Sequence, residues 1–247
     1  MKIIINDFMV YYSLKPVKIV YCVIPVSIII LQYLVGIDSE LLLFAPGVAV
    51  QSMFGGTFGA ITVFLTGMVW ESDLRGEVIK NIVSSGIDRF RYCAHKLIFI
   101  IISALIFSFE VSCVGGVIGH LDGPQGMIPP TKDLLITNFC SFLAVFFIIV
   151  TYGFLATVII LRLSTFSLAL VVSIIISFLE CLVNLSFLGN YERIITPFGF
   201  FLKAIQMVES HNNSGFINTV SNGCGVMLIY LIFCGIMSFF FCNKREF

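Results

Sequence analysis

Charge is scarce in this sequence. Only 11% of its 247 residues are Asp, Glu, Lys or Arg, against roughly a quarter in a soluble domain, whose surface must face water. With 59% hydrophobic residues, a folded monomer would expose more apolar surface than an aqueous protein tolerates. Net charge is missing too. The 14 cationic residues balance 14 anionic ones without a basic cluster, which excludes the electrostatic footprint of a nucleic-acid binder.

Catalytic and metal-binding signatures are also absent. His95, His120 and His211 fall at predicted loop or interface positions, no two of them lie at i, i+4, and there is no H-E-x-x-H. The apolar runs hold serines but no histidine or lysine at depth to activate one as a nucleophile. The eight cysteines include no C-x-x-C pair. Cys22, Cys113, Cys140, Cys181 and Cys234 sit inside apolar stretches, where cysteine serves as a small hydrophobe rather than a zinc ligand or half of a disulfide framework. No G-x-x-x-x-G-K-[ST] occurs, so the chain has no P-loop to cradle ATP phosphates. No signal peptide is expected, because the first apolar run starts after Pro16 without a small-residue cleavage site close behind it. These absences argue against an enzyme.

What the sequence does have is long apolar runs. Six can cross a hydrocarbon core of about 30 Å, which needs roughly 20 helical residues. They are expected at about 17–35, 48–70, 97–119, 139–161, 165–188 and 225–242. No alternating pattern of the kind a membrane barrel requires is found. The expected fold is therefore all-α, one polytopic domain over 1–247. Before the first run, Met1–Leu14 mixes Ile, Phe, Met and Tyr with Lys2, Asn6 and Asp7, as an amphipathic helix at the interface would. Pro25 should kink the first span.

Lys and Arg set the orientation. With the N-terminus inside, Lys2, Lys15, Lys18, Arg75, Lys80, Arg89, Arg91, Lys96, Arg162, Lys244 and Arg245 are cytoplasmic, and only Lys132, Arg193 and Lys203 lie outside. Both termini are then cytoplasmic and the chain is multi-pass in the cell membrane. The outer stretch 120–138 carries Gly123, Pro124, Pro129 and Pro130, which punctuate it against regular structure. In the later outer stretch 189–222, Phe198, Phe201, Leu202 and Ile205 fall at helical spacing. A helix over 197–208, lying on or dipping into the outer interface, is expected there.

The one sizeable cytoplasmic loop, 71–96, carries the functional signal. Leu74, Val78, Ile79, Ile82 and Val83 form a helical stripe, with Arg75, Glu77, Lys80, Asn81 and Ser84 on the opposite face and Gly86 at the end of the pattern. Such a helix could be held by lipid head groups alone. Its polar face has mixed sign, however, with Glu71, Asp73, Glu77 and Asp88 beside the cations. A lipid-binding helix would be basic, so a protein partner of mixed charge is the other reading.

The spacing Glu71-x4-Gly76, then Ser85-Gly86-x2-Arg89-x2-Tyr92-x3-Lys96, resembles the loop between spans two and three of ABC-2 type transporter permeases. Gly86 stands where that family commonly has Pro. In length, and in its short ectodomains, the chain is similar to the small permeases of bacterial peptide-antibiotic (bacteriocin or lantibiotic) export and immunity. The resemblance implies a six-span permease with a coupling helix between spans two and three, made by Glu71, Arg75, Gly76, Glu77, Asn81, Ser85, Asp88 and Arg89. It implies a separate P-loop ATPase that binds ATP and Mg, a second permease chain (identical or related) and an amphiphilic cargo moved outward. This chain itself would hold no cofactor.

Two carboxylates, Glu110 and Glu180, interrupt apolar runs, and intramembrane acids are functional candidates by default. They could receive a cationic cargo or bind protons, or each could simply be protonated. In the resembled family the second and fifth spans line the pathway, which favours Glu180. An ion-coupled carrier or a channel using the same carboxylates is the alternative function. The patterns Gly55-x-x-x-Gly59 and Gly115-x-x-x-Gly119 suit close helix packing.

Overall fold

The computed structural model describes residues 9, 11–35, 42, 45–54, 57–75, 88–122, 132–163, 197–210 and 213–244, with short stretches between 167 and 179. These residues are helical, with no strand among them. The helices are α1 (Lys15–Val35), α2 (Pro46–Phe54), α3 (Thr57–Arg75), α4 (Arg89–Asp122), α5 (Lys132–Leu163), α6 (Pro197–Glu209) and α7 (Asn213–Lys244). Among the described residues four helices are long and apolar enough to cross a membrane: α1, α4, α5 and α7. The chain is thus an all-helical protein with four candidate spans of the expected six. At 1.5 Å per residue, the 34 residues of α4 extend about 51 Å, well beyond a hydrocarbon core.

The run expected as one span over 48–70 holds α2 and α3, and Gly55 and Gly56, which lie between them in sequence, are outside the described residues. The last span begins at Asn213 rather than near 225, because its first turns have a partner. Phe216 and Val220 are buried with Phe200 and Ala204 of α6, and Gly223 lies where any Cβ would collide with the Phe200 ring. The helix expected at 197–208 is present as α6, but its buried side chains include Phe200 and Ala204. The region of the fifth expected span, 165–188, lies almost wholly outside the described residues. Pro25 sits within a continuous α1.

Residue contacts give the helix directions. Tyr11 meets Phe99 and Tyr21 meets Phe107, so α1 and α4 run parallel. Trp70 meets Tyr92, and Lys96 Nζ donates to the Val69 carbonyl at 3.4 Å, which makes α3 antiparallel to α4. A Cβ at Gly153 would touch Ile100 and Thr66, and one at Gly47 would touch Ser112 and Val145, so α5 is also antiparallel to α4. Phe90 stacks on Phe239 with centroids 4.4 Å apart, bringing the end of α7 to the start of α4. The end of α3, the start of α4 and the ends of α5 and α7 therefore gather on one side of the bundle. That side carries Arg75, Arg89, Arg91, Lys96, Arg162 and Lys244.

Small residues allow these approaches. At Gly115 an added Cβ would lie 2.7 Å from Val50 Cγ2 and 2.8 Å from the Pro46 carbonyl oxygen, so α2 packs backbone-close on α4. Gly115 is thus a helix-contact residue, the role expected of the Gly115-x-x-x-Gly119 pattern. The outward faces are apolar, with Val23, Ile30 and Leu34 of α1 and Ile229, Ile232 and Phe233 of α7 among the exposed side chains. In a bilayer such faces meet acyl chains.

Candidate functional site

The loop predicted to couple the chain to a partner is rooted between α3 and α4. Glu71 and Arg75 fall in the last turns of α3. Gly76, Glu77, Asn81 and Ser85 lie outside the described residues, as do the stripe residues Val78, Ile79, Ile82 and Val83. Asp88 and Arg89 open α4. Asp88 Oδ1 accepts a hydrogen bond from the Phe90 N–H at 3.3 Å, and its carbonyl accepts from the Tyr92 N–H at 3.0 Å. That is the behaviour of an N-cap aspartate, which satisfies amide groups left without intrahelical partners. Arg89 is expected to face a partner protein, but in the structure its Nη1 donates to the Asn243 carbonyl at 3.2 Å. A cation there complements the carbonyl end of α7, so Arg89 ties the loop's exit to the C-terminal helix.

The root of the loop is clamped by residues whose role only the folded chain reveals. Trp70 is fully buried, donates through Nε1 to Thr157 Oγ1 at 3.3 Å, and packs edge-on against Tyr92 with centroids 6.1 Å apart. The Thr157 hydroxyl in turn donates to the Gly153 carbonyl at 2.9 Å. Lys96 is only 4% exposed; its ammonium reaches the Val69 carbonyl and lies 5.8 Å from the centroid of the Tyr92 ring. Tyr92 and Lys96, the last two residues of the family-like spacing, thus grip the final turns of α3 on one side while α5 holds them on the other. Neither chain segment that borders the loop can shift without disturbing this joint.

A second cluster surrounds Glu110. Its carboxylate is half-buried, and Oε2 has no hydrogen-bond partner among the described residues. The groups within its electrostatic reach are the phenols of Tyr12 and Tyr21, whose hydroxyls share a hydrogen bond of 3.1 Å. These phenols come from α1 and the segment that precedes it. Tyr12 precedes the first span, and its phenol is pushed above its ordinary value. Burial is the main cause and the Glu110 charge adds to it, while the hydrogen bond to Tyr21 opposes the shift.

The described end of the N-terminal segment, which is expected at the interface, packs against the bundle. Tyr11 is 4% exposed, donates to the Leu65 carbonyl at 3.3 Å and meets the Phe99 ring at 5.2 Å. A phenol that finds both an acceptor and ring edges is stabilised inside the bundle rather than on its surface. Beside it a cavity of about 20 Å³, lined by the hydroxyl-bearing Tyr11, Tyr21, Thr62, Thr66 and Ser103 and otherwise by apolar side chains, has room for a water.

Further along α1 and α4, an open groove of about 390 Å³ runs between Pro25, Ile29, Gln32 and Tyr33 on one wall and Cys113, Val117 and Leu121 on the other. Apart from Gln32 and Tyr33, at the α1 end, it is apolar. Glu180 lies outside the described residues. No group of three or more potential metal-ligating side chains occurs among the described residues. Compared with known proteins, the chain matches no family model, no curated protein and no solved structure.

Proposed function

We propose that the chain is the membrane-spanning permease subunit of an ATP-driven ABC exporter, with six spans and both termini in the cytoplasm of a bacterial-type cell membrane. The observation that carries this reading is the loop between α3 and α4. Its spacing, Glu71-x4-Gly76 and Ser85-Gly86-x2-Arg89-x2-Tyr92-x3-Lys96, resembles that of ABC-2 permeases, and its polar face has mixed sign. The clamp of Trp70, Tyr92 and Lys96 gives such a loop a rigid seat from which force on it would pass to α3 and α4 together. The remaining two spans are α2 with α3, end to end, and the run 165–188. A separate P-loop ATPase supplies ATP hydrolysis with Mg, and a second permease chain completes the pathway. The basic ends gathered on one side agree with that side being cytoplasmic.

The cargo is proposed to be an amphiphile, for example a cationic peptide of bacteriocin or lantibiotic character. The apolar groove between α1 and α4 and the carboxylates Glu110 and Glu180 suit a molecule with an apolar body and positive charge. The experiment is co-purification of the chain with a P-loop ATPase encoded beside it, with cargo-dependent ATP hydrolysis as the readout. Glu77→Lys should cut recovery of the ATPase, since a like charge placed at a desolvated contact costs several kcal/mol, against about 1 kcal/mol or less for an exposed surface position. Full recovery and full activity of Glu77→Lys and Glu71→Lys would reduce the loop to a lipid-held helix.

A second reading rests on Glu110 Oε2, which has no hydrogen-bond partner among the described residues: an ion-coupled carrier that binds a cation or proton at this carboxylate beside Tyr12 and Tyr21. Uptake or efflux driven by an imposed ion gradient, in vesicles without ATP, would favour it over the exporter.

A further inference from the structure

Two thiols meet where the loop exit joins the C-terminal helix. Cys93 and Cys242 are 0% and 2% exposed, share one buried cluster and lie next to one another. Cys242 Sγ also lies 3.8 Å from the Arg89 carbonyl oxygen, to which it donates. That carbonyl is one helical turn before Cys93, the place an α4 amide bond would point to. Arg89 Nη1 in turn donates to Asn243, the residue after Cys242, so the two helix ends are held together from both sides of the thiol pair. Phe90 and Phe239 stack next to them.

We propose that Cys93 and Cys242 form a dithiol modification site that a cell-permeant thiol oxidant converts to an intrachain disulfide, tying the last turns of α7 to the first turns of α4. Both cysteines are free thiols in the structure. The reactive member is Cys242, which sits two residues before the end of α7. Terminal turns open locally far more often than helix centres, and each opening uncovers its sulfur. With a diazenedicarboxamide as oxidant, the Cys242 thiolate adds to the N=N bond and forms an S–N bond. The Cys93 thiolate then attacks the Cys242 sulfur, the S–S bond forms and the S–N bond breaks. The diazene leaves as the hydrazine, having gained the two electrons and two protons of the two thiols.

The consequence is positional. The exit of the candidate coupling loop becomes covalently fixed to the C-terminal helix, at a joint that is otherwise held by one arginine and two stacked rings. Formation of the bond does not rest on the exporter reading and is measured without any partner.

The test uses the full-length chain in detergent micelles, oxidised with diamide, unfolded, alkylated and mapped by peptide mass. The expected result is a loss of two of the eight titratable thiols and a linked peptide pair containing Cys93 and Cys242, restored by dithiothreitol. Cys242→Ser should leave Cys93 alkylatable after the same treatment. Slower amide exchange over 239–244 in the oxidised chain should accompany the bond. Recovery of both cysteines in alkylated form from the wild-type chain, or a bond joining Cys140 and Cys224 at the opposite end instead, overturns the assignment. The wild-type peptide map decides the matter even if the serine variant fails to fold.

Discussion

Trp70 is the only tryptophan in the chain, and replacing it tests whether the loop root is a rigid joint. Trp70→Ala removes a side chain that is 0% exposed, the Nε1 bond to Thr157 and the edge contact with Tyr92. In a membrane protein the transfer part of the usual cost is small, because the released apolar surface has lipid as an alternative. The cavity part remains. If roughly 100 Å³ stays unfilled after relaxation, at about 24 cal/mol per Å³ the loss is about 2.4 kcal/mol. The lost hydrogen bond adds about 1 kcal/mol. A total near 3 kcal/mol corresponds to a drop in midpoint of about 6–12 °C for a chain of this size. Trp70→Phe fills most of the space and forfeits chiefly the bond, so about 1 kcal/mol and 2–4 °C are expected.

The assay is thermal unfolding in detergent, followed by a thiol-reactive dye that sees Cys93 and Cys234 only when the bundle opens, since both are buried in the fold. A Trp70→Ala midpoint within 2 °C of wild type would refute the clamp. So would a Trp70→Phe variant as damaged as the alanine one, because the cavity would then not be the cause.

Gly115→Ala should destabilise the chain by about 1–3 kcal/mol, the usual range for overpacking, because its Cβ meets Val50 and the Pro46 backbone below 3.0 Å, whereas Gly116→Ala meets Pro46 only at 4.0 Å and should be neutral or slightly stabilising; the same dye assay compares them. Gly223→Ala should loosen the α6–α7 contact at Phe200, read as faster amide exchange over 213–223. Glu110→Gln should leave the folded chain at least as stable, since Oε2 loses no hydrogen bond among the described residues; a fall in transport with unchanged expression places the acid in the pathway, and silence of both Glu110→Gln and Glu180→Gln removes the two carboxylates from it. Engineered cysteines near Asp122 and Asn212 should label from outside intact cells and those near Lys80 and Lys244 should not; labelling at Lys80 would invert the topology and place the loop out of reach of any cytoplasmic ATPase.

Much of the fold was legible from hydropathy because the property being read, a run of apolar residues long enough to span a core, is local. The spans expected at 17–35, 97–119 and 139–161 lie within α1, α4 and α5. Where the sequence reading missed, the deciding interaction was non-local. The early start of α7 depends on Phe200 from α6, and no periodicity within 213–224 announces that contact. Nor does any local signal announce that the Arg89 guanidinium meets the carbonyl of Asn243, more than 150 residues away.

The sequence by itself determined the solvent, the fold class and the absence of a P-loop, since these follow from composition, run length and short motifs. It also marked Glu110 and the spacing from Glu71 to Lys96 as unusual. Tertiary structure alone decided what surrounds those residues. It placed Trp70 against Thr157, Lys96 beneath the end of α3, Tyr12 and Tyr21 near Glu110, and Cys93 beside Cys242. The physical reason is that helix formation is settled by neighbours in sequence, while hydrogen bonds between buried side chains depend on register between helices. That register is set by where small residues such as Gly115 and Gly153 let two backbones approach, and one-dimensional patterns carry no record of which helices will meet.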